Sequence, residues 1–208
     1  MENENELTGR RTFKIQAFKH GGTSTIDPET VAITCKAVTQ AICELYAQGN
    51  TSISFEDLYR GAYNMILHKK GEELYSVVET TMTSEVQSLC RPLDAAPADG
   101  AAFLQELLAK WNQHIKAVNM IRDMLMYMDR TYVFTNHKTP IKELGLCLWR
   151  EHMIHSDKIR ERLVEAVKQQ RGGEDELIAG VNKMLEELGE DVPGLFFPDG
   201  ELHDAAGP

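Results

Sequence analysis

Between Phe103 and Phe134 the chain contains neither glycine nor proline, and Leu104, Leu107, Leu108, Trp111, Ile115, Val118, Ile121 and Leu125 recur at the spacing of one helix face. A continuous helix over this run is about 48 Å long, and two helices in close succession fit the same pattern. The C-terminal part, MIRDMLMYMDRTYVF from Met120, carries two apolar stripes. Val118, Ile121, Leu125, Met128 and Tyr132 form one; Met120, Met124, Tyr127, Thr131 and Phe134 form a second, rotated away from it. One stripe faces a core. The other requires a second core helix or a partner protein.

The helical period recurs along the chain. Asp27-Pro28-Glu29 reads as a helix start, with Asp as cap and Pro at the first helical position. The apolar set Val31, Cys35, Val38, Ile42 and Leu45 follows, and the helix is expected to end near Gly49-Asn50. Ser54-Phe55-Glu56-Asp57 fits the capping-box pattern and opens a second helix to about Lys70. A third is expected over Glu72 to Leu89, stopping before Pro92 and the DAAPADG linker. After Pro140 one helix is expected from Ile141 to about Gln170, broken by Gly172-Gly173, and a shorter one from Glu174 to Leu188. No strand series separates these elements. The expected fold class is all-α, with long helices packed as a bundle or as the start of an α-solenoid.

The ends differ from the interior. Residues Met1 to Gly9 are polar and acidic and are expected to be disordered. Phe13, Ile15 and Ala17 alternate with Thr12, Lys14 and Gln16, but no hairpin partner follows, so an extended arm that orders on docking is expected. The final GEDVPGLFFPDGELHDAAGP lacks a helical period and reads as a disordered or loosely docked tail.

Charge and motifs exclude several functions. The 22 Lys+Arg against 32 Asp+Glu, a formal net charge of −10, oppose a broad footprint on nucleic acid or anionic lipid. No apolar run approaches the roughly 20 residues of a membrane span, and MENENELTGRR lacks the apolar region of a secretory signal, so an intracellular protein, cytoplasmic or nuclear, is expected. Cys35, Cys43, Cys90 and Cys147 have neither C-x-x-C nor zinc-finger spacing and are expected to be reduced core thiols. There is no P-loop, no G-x-S-x-G and no H-E-x-x-H. His152 and His155 lie three apart, but no further ligands are suggested nearby. The carboxylates sit mostly beside Lys or Arg at helical spacing, as on a solvated helix face. No catalytic residue, metal or cofactor is expected.

The second helix is more specific. Phe55, Tyr59 and Tyr63 stand at i, i+4 and i+8, while Leu58, Ala62, Met65 and Ile66 cover a neighbouring side and suffice for a core face. The aromatic ridge is either exposed, where tyrosine is favoured at binding hot spots, or packed inside the bundle against the ridge of Met124 and Tyr127. Periodicity leaves both open.

ISFEDLYRGAYNMILHKKGEELY (Ile53 to Tyr75), KWNQHIKAVNMIRDMLMYMDRTYV (Lys110 to Val133) and LGLCLWREHMI (Leu144 to Ile154) closely resemble the N-terminal region of cullins, and among them the branch that pairs with BTB-domain adaptors. The resemblance runs from about Phe13 to about Leu188. It implies an elongated helical stalk of cullin repeats with five helices each, and a non-catalytic scaffold of a ubiquitin ligase whose first repeat docks a BTB-domain substrate adaptor through its second and fifth helices. On that resemblance the adaptor-facing positions are Ile53, Ser54, Phe55, Glu56, Tyr59 and Tyr63, with Met124, Tyr127 and Arg130 from the fifth helix. Phe13, Ile15 and Phe18 belong to an arm that the family lays into a groove on helices following the BTB fold.

The implied organisation is a disordered 1–11, an arm 12–26, a first repeat 27–136, part of a second repeat 137–189 and a tail 190–208. The pattern decays after Leu188, and neither the domain that binds the RING subunit nor its modified lysine is recognisable. A chain that binds an adaptor without the RING subunit, as a fragment or competitor of the full scaffold, is therefore expected. The alternative is a diverged helical remnant without adaptor binding.

Overall fold

The computed structural model describes residues 26–95, 99–170 and 175–190, and the regular structure among them is helical. The order is α1 Pro28–Gln48, α2 Phe55–Leu67, α3 Gly71–Ala95, α4 Gly100–Met124, α5 Met126–Met128 prolonged by a π-helical turn Asp129–Val133, α6 Ile141–Trp149 prolonged by a π-helical turn Arg150–Ile154, α7 Asp157–Gln170 and α8 Asp175–Leu188. No described helix is long and apolar enough to cross a membrane. The all-α fold expected from the periodicity is the one observed.

The described residues fall into two compact units that interleave in sequence. The first takes the residues up to Glu85 with Lys116–Leu144, and the second takes Val86–Ile115 with the residues from Gly145 onward. Helices α3, α4 and α6 therefore each contribute to both.

In the first unit α1 starts and stops where its sequence directs. Asp27 precedes Pro28 at the first helical position, and Gly49 closes the helix at φ 72°, its N–H donating to the Leu45 carbonyl at 3.0 Å. A side chain is strained in this left-handed conformation, which glycine adopts freely. Val31, Val38, Ile42 and Leu45 are buried, with Leu58, Ala62 and Met65 of α2, Leu74, Val78 and Met82 of α3, and Val118, Ile121, Leu125 and Met128 of α4 and α5. At the start of α3 a Cβ on Gly71 would overlap the Tyr132 ring. This close approach lets the Tyr132 hydroxyl donate to Glu72, which also pairs with Lys138 at 3.1 Å.

Several boundaries differ from the sequence expectation, each for a local reason. The Ser54 hydroxyl makes no capping hydrogen bond and α2 ends at Leu67, short of Lys70, because the backbone turns left-handed at Lys69. Helix α3 does not stop before Pro92 but continues through it to Ala95. An interior proline costs about 3 kcal/mol. Here it stands in the last turn, where burial of Leu89 and Leu93 continues the apolar stripe and Arg162 donates to the Leu93 carbonyl. For the long run after Phe103 the second of the two readings holds, two helices in close succession, with the interruption at Leu125, where ψ is 18°. The helix expected over 141–170 is two helices, parted at His155 and Ser156 after the π-helical turn. Cys147 is exposed and the other three cysteines are half-buried, so none is a core thiol in the full sense.

The second unit centres on aromatic packing. Trp149 is fully buried, edge-on to Trp111 at 5.3 Å between ring centroids and stacked on His114 at 5.0 Å. His114 Nε2 donates to the Gly145 carbonyl at 3.0 Å. Burial disfavours the imidazolium and lowers the His114 pKa to about 4, against a smaller opposing effect of the Gly145 contact. The unfolded imidazole binds its proton below about pH 6.5, whereas the folded one stays neutral to about pH 4, so stability falls as pH drops through that window. The limiting loss is about 3 kcal/mol. Denaturant unfolding at pH 7, 5.5 and 4.5 should show this decline in the wild type and a shallower one in His114→Gln, whose amide still donates; equal slopes would contradict the assignment.

Candidate functional site

The candidate site begins with a carboxylate on α1. Glu44 accepts hydrogen bonds from Gln40 Nε2 at 2.8 Å, Thr51 Oγ1 at 3.0 Å, the Ser52 N–H at 2.6 Å and Ser52 Oγ at 2.9 Å. These bonds stabilise the ionised form and hold the Glu44 pKa down to about 2, the Gln40 contact contributing most. They also fix the short loop between α1 and α2. Ile53 then inserts into the core at 4% exposure, and Ser54 is left on the surface at the start of α2.

Helix α2 divides its residues by side. Leu58, Ala62 and Met65 point inward, while Phe55 stands 54% exposed. Its ring lies nearly parallel to that of Tyr59, 6.4 Å away and at 16°. Tyr59 and Tyr63 are half-buried. The Tyr63 ring leans on Tyr127 of α5, 4.5 Å between centroids and at 54°. The two ridges thus meet at one point and remain partly open to solvent. Of the two arrangements left open by periodicity, neither is complete: tyrosines join the ridges, and Phe55 stays outside.

The polar positions flank this ridge. Glu56 is exposed and pairs with Arg60 one turn on, and Arg130 is exposed on the π-helical turn of α5. Met124 is in a different place from the one its stripe suggested. It is 2% exposed and belongs to the core, as does Ile53, so neither side chain is available for contact on this surface. Met124 still belongs to the regular helix α4, three residues after buried Ile121, and shares its buried side; the interruption at Leu125 then shifts the phase of the residues that follow. Met120 and Met126, on either side of the break, are 36% and 37% exposed, and Phe134 is 79% exposed. Phe13, Ile15 and Phe18 of the arm lie outside the described residues.

Two contributors escaped the sequence reading. Glu44 acts through the loop rather than on the face, and a lone glutamate in an amphipathic helix gives no signal of that. Leu67, 45% exposed, continues the spacing of Phe55, Tyr59 and Tyr63 by another four residues, which periodicity could have shown. Among the described residues no three His, Cys, Asp or Glu side chains converge as a metal site. The arrangement suits burial of aromatic surface against another protein, with charges at its rim.

The family pattern described as "Cullin alpha solenoid domain" matches residues 35–198. This chain belongs to the cullin family. It is 46% identical over 190 residues to Cullin-3B of Arabidopsis thaliana and 44% identical to Cullin-3A of the same plant, in each case over 88% of this chain and 25% of the relative. Cullin-3 of Caenorhabditis elegans is 36% identical over 78% of this chain and 21% of its own length. The chain spans about a quarter of the length of these curated relatives. The resemblance expected from its motifs is thereby shown, and α2 and α5 are helices of a cullin solenoid.

Glu44 provides a test of how the loop is held. Its folded pKa lies below the ordinary 4.5, so its contribution is present above pH 4.5 and is lost as pH falls towards about 2. Glu44→Gln should unfold at lower temperature than wild type at pH 7, and the gap should close between pH 4.5 and pH 2. A constant gap across that range would contradict the role of the ionised carboxylate.

Proposed function

We propose that this cullin chain is a non-catalytic scaffold segment of a ubiquitin ligase, and that the α2 and α5 face docks a BTB-domain substrate adaptor. The observation that carries the proposal is Phe55, exposed at 54% on a ridge whose remaining aromatics are only half-buried. A bulky ring costs free energy in water, and burying its exposed half in a hollow of a partner recovers about 1 kcal/mol. Similarity to proteins named Cullin-3 supports a BTB adaptor as that partner, since pairing with such adaptors is what the motif resemblance implies.

The residues assume distinct roles in this reading. Phe55 and Tyr59 supply apolar area and few rotatable bonds, so little side-chain entropy is lost on docking. Tyr63 and Tyr127 brace one another and form the floor between the helices. Glu56 and Arg130 orient the partner at the rim, where charges act on association rate and register more than on affinity. Ile53 and Met124 act from beneath, by fixing the backbone that carries the face. The arm from Thr12 to Phe18, with Phe13, Ile15 and Phe18 as its apolar contacts, lies along the adaptor.

Calorimetric titration of the chain with a BTB-domain adaptor tests the proposal. Tyr63→Ala and Tyr127→Ala should each lose at least roughly 2 kcal/mol, about thirtyfold in affinity. Because the two rings touch, the double variant should lose less than the sum. Phe55→Ala removes an exposed ring, so it should weaken binding without lowering the unfolding temperature. Wild-type affinity in all three variants would overturn the site.

A further inference from the structure

The far end of the same two helices carries a second feature. Helix α2 and the π-helical turn of α5 both end in a left-handed residue that is not glycine: Lys69 at φ 60° and His137 at φ 52°. The closures match. Lys70 N–H donates to the Met65 carbonyl at 2.8 Å and Lys138 N–H to the Val133 carbonyl at 3.0 Å. After α8 the same closure uses glycine: Gly189 is at φ 72° and the Glu190 N–H donates to the Leu185 carbonyl at 3.0 Å; Gly49, also at φ 72°, ends α1 by a single bond to Leu45. A lysine at such a position is strained, and attraction of a cation to a helix C-terminus does not explain why the left-handed residue itself is basic when Lys70 follows it.

What surrounds Lys69 gives the strain a use. Lys69 lines an open hollow of about 390 Å³ with Ile66 and Gly71 on one side and Thr131, Tyr132 and Thr135 on the other. Next to those wall residues in sequence stand two exposed apolar side chains, Leu67 at 45% and Phe134 at 79%. The acidic groups nearby are already engaged: Glu73 pairs with Lys70, and Glu72 with Lys138. Lys69 makes no ion pair among the described residues. In a chain of net charge −10, this is a local cationic end with apolar side chains and no acidic partner of its own.

We propose that the docking face extends to this end and receives an acidic segment of the same partner, its carboxylates at Lys69 and a bulky apolar side chain against Leu67 and Phe134. This rests on the docking function proposed above. It follows from continuity along α2, where Phe55, Tyr59, Tyr63 and Leu67 keep one four-residue spacing, and from charge complementarity at the hollow. On this reading the charge of Lys69 offsets the stability that its strained position costs.

The probe is the BTB-domain adaptor used above, titrated at low and high salt against wild type, Lys69→Gly, Phe134→Ala and the ridge variant Phe55→Ala/Tyr127→Ala. Lys69→Gly should raise the unfolding temperature, since glycine relieves the left-handed strain, yet weaken binding and flatten its salt dependence. Phe134→Ala should leave unfolding unchanged and weaken binding by about tenfold. Wild-type affinity and salt dependence in both Lys69→Gly and Phe134→Ala, with binding lost in the ridge variant, would overturn the extension and leave the docking function standing. A loss in Phe134→Ala alone would contradict the acidic chemistry. Failure of wild type to bind would overturn both.

Discussion

Thirteen residues are too few for a helix to hold itself in water, so α2 exists only while Leu58, Ala62 and Met65 are buried. That obligation fixes the helix about its axis. Phe55, Tyr59 and Tyr63, which share another side, cannot follow those residues inward, and Phe55 is left in solvent. The exposed ridge is a consequence of how the core is filled. A protein that kept this ridge without using it would carry exposed aromatic surface to no benefit.

The ends of the site are set by a few carboxylates. Glu44 gathers Gln40, Thr51 and Ser52 and so fixes where α2 begins. Asp129 accepts the Ile141 N–H at 3.1 Å and links α5 to the start of α6, although its own burial raises its pKa. Glu72 joins the start of α3 to Tyr132 and Lys138. Of these only Glu72 with Lys138 is an ion pair, and a surface pair of that kind adds little stability singly. The value of these carboxylates is geometric, since each spans a turn on which an exposed side chain depends.

Local chemistry explains what was legible in the sequence. Pro28 and Gly49 fixed the ends of α1 because each imposes a backbone angle regardless of tertiary context. The inward residues of α2 followed from spacing alone, and the motifs that resemble cullins singled out α2 and α5 as the helices proposed to dock a partner. Where tertiary packing competes with local preference the sequence misled: burial of Leu93 carried α3 through Pro92. The Ser54 hydroxyl, expected to cap α2, makes no capping bond. The break at Leu125 has no proline or glycine to announce it. Met124, just before it, shares the buried side of Ile121 rather than the outer stripe, since its spacing fits either side. The π-helical turns are equally silent, since an inserted residue alters helical phase without altering composition.

Backbone amide hydrogen exchange of the chain, alone and saturated with a BTB-domain adaptor, measures the central claim without altering a residue. The account predicts added protection in the arm from Thr12 to Phe18, in the loop before α2, along α2 as far as Lys69 and along α5 as far as Phe134, with α7 and α8 exchanging at the same rates in both states. Protection that omits α2 and α5, or that falls chiefly on α7 and α8, would contradict it.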